Sequence, residues 1–224
     1  MPRASDAPRA SERVHAALRD EILGGALAPG AAVPSERALA KRFGVHRQSV
    51  REALKRLEQA GLVRISHGGA TRVLDWRDSG GLEILADLAD AGGREPPAEL
   101  ARSIIEMRAS IGIDAARLCV ERAGEAELAE VNRLAGEAAA HVGGPVETLE
   151  ERYAAMWRTV VIGSGNLAYR LAFNSLLRAL PSRPEMADAV RPSEAEAIRA
   201  FGAAVRARDG GAAASCAREL LAPG

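Results

Sequence analysis

Four consecutive polar side chains, His46, Arg47, Gln48 and Ser49, open a helical pattern whose next turn carries Arg51. A guanidinium at Arg47 can donate two parallel hydrogen bonds to N7 and O6 of guanine, worth roughly 1–3 kcal/mol of discrimination between bases. Arg51 lies one turn on, on the same face, and suits a phosphate or a second base. His46, Gln48 and Ser49 are placed for neighbouring bases or phosphates, and the helix N-terminus adds backbone N–H donors for an anion. Arg37, near the start of the preceding helical pattern, suits the DNA backbone or an adjacent guanine. Farther on, His67 and Gly68 sit in "HGGA", a narrow polar tip suited to a minor groove, which is read by width and A·T content. Lys41, Lys55 and Arg56 read as solvated or general electrostatic groups.

These side chains need elements to aim them. "SERVHAALRDEILGG" (11–25) puts Val14, Leu18, Ile22 and Leu23 on one helical stripe, with Ser11 as its N-cap and residues 1–10 as a disordered lead. After the loop "ALAPGAAVP", Ser35 caps a short helix through Arg42 with Leu39 and Phe43 inward. Gly44 makes the turn. A helix over 46–60 turns Val50, Ala53, Leu54 and Leu57 inward, and Gly61 follows its end. "LVRIS" and "TRVLD" flank the glycine turn as a hairpin. Three helices and a hairpin make a winged helix-turn-helix, whose second motif helix suits the major groove.

After Trp76 the texture becomes helical throughout. The pattern predicts helices at about 98–122, 125–141, 147–163, from the "GSGN" turn to 179, 192–208 and 211–221, an antiparallel all-α bundle. The expected fold class is therefore mainly α, with a winged-helix domain over 1–77 and a bundle over 78–224. Through residue 77, 14 Lys and Arg stand against 8 Asp and Glu, while the chain as a whole is neutral. A basic first third on a neutral chain suits a polyanion such as double-stranded DNA. The 224 residues contain no apolar run long enough for a membrane span, the start "MPRASDAPRA" lacks a secretory core, and there are two cysteines, so a cytoplasmic protein with no membrane partner is expected. "GSGN" is no dinucleotide fingerprint, and neither a P-loop nor G-x-S-x-G occurs, so no catalysis is expected.

"PGAAVPSERALAKRFGVHRQSVREALKRLEQAGLV" resembles the DNA-binding domain of the GntR family of bacterial transcription regulators. The resemblance covers nearly all of residues 11–74 and implies a homodimer on a palindromic operator. It also implies DNA contacts at Arg37, Arg47, Arg51 and His67. "ISHGGATRVLDWRDSGGLEIL" and "WRTVVIGSGNLAYRLAFNSLLRAL" resemble the fatty-acid-responsive FadR branch, more weakly over 78–224 and least after about residue 180. This implies a repressor with an effector-binding bundle, an acyl-coenzyme A effector and a role in lipid metabolism. The branch's longer C-terminal region, with its aromatic and basic residues, has no counterpart in "CARELLAPG". Another amphipathic carboxylate is therefore an alternative effector, and a ligand-independent DNA-binding dimer a further one.

A related class of these bundles holds a metal with an Asp and three His. Aligned on S-G-N, two of those positions fall on Tyr153 and Trp157, and His141 is the one histidine of the second region. Divalent ions want imidazole and carboxylate ligands, so no metal is expected. Tyr153 and Trp157 instead share a helix face. They suit the wall of an apolar pocket, with Arg108 or Arg178 taking an anionic end and Asn174 adding a hydrogen bond. They also suit plain core or dimer-interface packing. Asn166 suits either a ligand or a helix cap.

Overall fold

The structure is a computed structural model that describes residues 6–66, 69–89, 98–179 and 191–221. The chain divides into two compact units, Met1–Pro96 and Pro97–Gly224.

In the first unit, α1 (Asp6–Leu23), α2 (Glu36–Phe43) and α3 (Arg47–Gln59) pack around Val14, Leu18, Leu39, Val50, Ala53 and Leu57, all fully buried. Within α1 and α3 these repeat at three- or four-residue intervals, so each of the two gives one stripe to a shared core, to which α2 adds Leu39. α1 begins earlier than the sequence suggested. Ser11 lies inside the helix and is buried instead of capping it, because residues N-terminal to it continue the helical pattern. Ser35 does cap α2: its Oγ accepts from the Ala38 N–H at 3.2 Å. Gly44 closes α2 with φ +63°, and its N–H bonds the Ala40 carbonyl. Strands β1 (Val63–Arg64) and β2 (Arg72–Val73) pair antiparallel, Val63 opposite Val73, and Arg72 also bridges to Ala32. Val63, Val73 and Val33 are buried beneath this small sheet.

The sequence boundary at residue 77 falls within this unit. Two short helices, α4 (Trp76–Ser79) and α5 (Ile84–Ala89), belong to it. Ile84 and Leu88 are buried, and the Asp87 carboxylate accepts from Arg19 of α1 at 2.7 Å. The Ser79 hydroxyl donates to the Gly61 carbonyl at 2.7 Å, tying α4 to the residue just past α3. The helical texture that begins after Trp76 marks local conformation, whereas these contacts decide which core the helices join.

The second unit contains α6 (Ala98–Arg122), α7 (Glu125–Ala140), α8 (Val146–Gly163), α9 (Leu167–Ala179), α10 (Ala195–Arg206) and α11 (Gly210–Leu221). α7 packs against α8 and α10, and α6 against α8 and α11. Leu128, Val131, Ala135 and Ala138 form the buried stripe of α7 and face a core that includes Met156, Val160, Ile198, Phe201 and Val205. The small side chains along α7 let its neighbours approach closely. Asn166 turns out to be a cap: its Oδ1 accepts from the N–H groups of Ala168 and Tyr169 at 3.0 and 3.3 Å. Arg208 adopts φ +58° and donates to the carbonyls of Val120 and Ala123, each at 3.1 Å, so it closes the C-terminal end of α6 from a distant part of the chain.

Candidate nucleic-acid interface and effector cavity

α3 is amphipathic in a way that leaves one face for a partner. Val50, Ala53, Leu54 and Leu57 enter the core, while Arg47, Gln48 and Arg51 remain exposed. His46 is the N-cap, exposed and extended, and its side chain makes no capping hydrogen bond. The Ser49 N–H turns back to the His46 carbonyl at 3.0 Å, and the N–H groups of Arg47 and Gln48 are left to water or to an incoming phosphate. Arg37 is exposed on the first turn of α2.

Ser49 corrects the sequence reading. It is 4% exposed, so its hydroxyl faces the helical core and does not reach DNA. It shares a stripe with Ala53 and Leu57, which decides its direction. His67 and Gly68 lie outside the described residues.

The exposed face is not a bare cationic surface. The Glu36 carboxylate accepts from Arg51 Nε and Nη2 at 3.0 and 2.9 Å and from Arg47 Nη2 at 3.4 Å. The Arg51 hydrogen bond, above all, holds this carboxylate below its usual titration range. Gln48 donates to Glu52 at 3.3 Å, one turn along α3. The Arg42 guanidinium pairs with Glu21 and stacks over Phe43 at 4.8 Å, which ties α2 to α1.

In the second unit a cavity of about 190 Å³ opens among α6, α8, α9 and α11. Tyr153 and Trp157 stand on its wall in an edge-to-face pair, centroids 6.2 Å apart, and Trp157 also leans on Phe201 at 5.0 Å. The two readings of this pair thus merge, because both rings are buried in the core and both line the cavity. Ile111, Phe173, Leu176 and Leu221 complete an apolar lining. Gly112 makes room for it: a Cβ there would fall 2.3 Å from Leu221 Cδ1.

Three charged side chains reach this wall: Arg108, Glu150 and Arg191. Arg191 and Glu150 form an ion pair at 3.0 Å, and Arg108 brings a second guanidinium to the wall. Burial pushes the Arg108 guanidinium down in pKa, against the opposing influence of the Tyr153 phenol. The same burial pushes the Tyr153 hydroxyl up. A desolvated guanidinium beside apolar walls stabilises an anion that brings its own apolar body.

Arg108, Tyr153 and Trp157 are thus brought together as the sequence suggested. Asn174 and Arg178 are not. Both are exposed and absent from the cavity wall, and Arg178 donates to Ser175 at 3.3 Å. On α9 the cavity takes Phe173, Leu176 and Leu177, and Asn174 and Arg178 lie about a quarter turn or more around from Phe173. Sequence reasoning missed Glu150 and Arg191. Their ion pair spans 41 residues, and no local spacing announces it.

Residues 10–73 match the family described as "Bacterial regulatory proteins, gntR family", and residues 103–223 match the FCD domain. The chain belongs to the GntR family. This GntR chain is 36% identical to the HTH-type transcriptional regulator Mce2R of Mycobacterium tuberculosis, over 94% of its own length and 88% of that protein's. It is 30% identical to a fatty acid metabolism regulator protein of Escherichia fergusonii, over 66% of this chain and 59% of that one. A solved structure of Lar, described as controlling the expression of the Listeria monocytogenes agr system, has the same fold, with a TM-score of 0.59 at 14% identity, covering 95% of this chain and 93% of that one.

GntR regulators bind DNA operators and FCD domains bind small-molecule effectors, and this chain is a transcription regulator of that kind. No described helix is long and apolar enough to cross a membrane. Positions 153 and 157 present a phenol and an indole, and among the described residues no three His, Cys, Asp or Glu side chains come together.

Proposed function

We propose that this regulator binds a palindromic operator as a homodimer and that a small amphipathic carboxylate, held in the bundle cavity, changes its affinity for DNA. The observation that carries the effector assignment is the wall itself: apolar and aromatic side chains with the buried Arg108 guanidinium among them. Arg108 binds the carboxylate, Tyr153 and Trp157 pack against the apolar body, and no metal takes part. Arg47 reads base edges, Arg51 and Arg37 serve phosphates or a second base, His46 and Gln48 flank them, and His67 and Gly68 serve the minor groove.

Size separates two effector classes. A cavity of roughly 150 Å³ accommodates a ligand the size of benzene, and drug-sized sites run from roughly 300 Å³ upward. At about 190 Å³ the cavity suits a short or medium carboxylate. A long acyl chain with its coenzyme requires the bundle to open. The acyl-coenzyme A reading, with a role in lipid metabolism, is favoured instead by the likeness to the fatty acid metabolism regulator. In both readings the regulator acts as a repressor: the ligand prefers a dimer whose recognition helices no longer match half-sites roughly 34 Å apart, and so lowers operator affinity.

Titration of hexanoate, octanoate and palmitoyl-coenzyme A into the protein bound to a selected operator duplex separates the readings. Release by the short acids, abolished in Arg108→Met with basal DNA binding intact, is the expected result. Release by palmitoyl-coenzyme A alone replaces it with the lipid-thioester reading. Release by none refutes the carboxylate assignment and leaves a DNA-binding dimer without an effector of either class.

A further inference from the structure

Arg47 and Arg51, on successive turns of α3, both contact one carboxylate from a different helix. Glu36 begins α2 and reaches across to α3, accepting two hydrogen bonds from Arg51 and one longer one from Arg47. Arg51 presents Nε and Nη2 to it, the side-on fork that fixes a guanidinium plane. Arg47 offers a single nitrogen at 3.4 Å and remains 63% exposed. The two arginines are therefore held unequally. Glu36 is itself anchored, with 27% of its side chain exposed, at a helix start whose dipole favours a negative charge.

We propose that Glu36 is a positioning and specificity-determining residue for DNA: it orients the two arginines of α3 and offsets their attraction for phosphates, so that tight binding requires the correct base edge. The inference rests on the reading of α3 as the recognition helix. Its physical basis is competition. A phosphate offers each guanidinium roughly what Glu36 already offers, so a random duplex gains little by displacing the carboxylate. A guanine edge at the right position offers Arg47 two aligned acceptors in place of one long contact. Arg51, gripped through Nε and Nη2, keeps its plane, and Nη1 takes no part in the grip. The carboxylate also repels phosphate at close range, which weakens sequence-independent binding on every duplex.

The test uses the full chain, a duplex selected from random sequence by the wild-type protein, and a scrambled duplex. Affinities are measured by fluorescence anisotropy over a range of salt. Glu36→Gln should bind the scrambled duplex about threefold to tenfold more tightly, with a salt slope steeper by about 0.9 for each additional phosphate neutralised. The ratio of selected to scrambled affinity should fall about tenfold. Glu36→Asp, which keeps the charge, should retain most of the wild-type ratio. Failure of the wild-type protein to select any duplex refutes the recognition-helix reading itself. Selection by the wild type together with equal changes on both duplexes in Glu36→Gln, or an unchanged salt slope, overturns the role of Glu36 alone. So does Glu36→Asp behaving like Glu36→Gln.

Discussion

Replacing Gly61 with alanine should destabilise the first unit far more than the same change at Gly44, although both glycines follow helices with nearly the same backbone. Gly61 has φ +70° and Gly44 φ +63°, so each substitution costs about 1 kcal/mol for placing a Cβ in the left-handed region. At Gly44 nothing lies within 4 Å of the new atom. At Gly61 it falls 2.2 Å from the Ser79 carbonyl oxygen and 2.8 Å from its carbon, both backbone atoms that cannot swing aside. α4 must move, and the 2.7 Å hydrogen bond from Ser79 to the Gly61 carbonyl is lost, at about 0.5–1.5 kcal/mol. Adding about 1 kcal/mol of overpacking strain gives roughly 3 kcal/mol at Gly61 against about 1 at Gly44. For a unit of this size each kcal/mol moves the midpoint by roughly 4–8 °C, so Gly61→Ala should lower the first thermal transition by more than 10 °C and Gly44→Ala by about 5 °C. Calorimetry of the full chain resolves this. Equal shifts for the two variants would refute the packing of α4 against the end of α3.

Two further outcomes follow from the same unit. Arg47→Ala should lose roughly 1–3 kcal/mol of preference for the selected duplex over a scrambled one, measured by anisotropy at fixed salt. An equal loss on both duplexes would make Arg47 a phosphate contact. Burial, then the cations of Arg56 and Arg19, hold the His15 imidazole below its usual pKa, against the opposing carboxylates of Asp87 and Glu12. The folded unit thus binds fewer protons than the unfolded chain, and His15 stabilises it above a pH of about 6.5 and progressively less as pH falls through the lowered folded value. The first thermal midpoint should therefore drop on acidification below pH 6.5, and His15→Gln should flatten that slope. An unchanged slope would assign the effect to other groups.

Much of this protein can be read directly from its sequence because the governing forces act over one or two helical turns. The apolar spacing in α1 and α3, the Ser35 cap and the glycine after α2 are each local, and each appears as expected. The burial of Ser49 is legible too, since four- and eight-residue steps lead from it to Ala53 and Leu57, although its polarity points outward. The start of α1 and the boundary near residue 77 differ from the sequence expectation for one reason: propensity and texture mark where a helix can form, and packing decides how far it extends and which core it joins.

Sequence alone determined the family, the mainly helical architecture and the position of the polar face on α3. Spacing within a segment carries that information. Tertiary structure alone decided that Glu36 grips Arg51 from another helix, that Glu150 is neutralised by Arg191, and that Arg108 and not Arg178 supplies charge to a cavity of about 190 Å³. Each depends on distances between side chains on different helices. Such distances are set by how whole helices pack, and the spacing of residues along a single helix does not encode them.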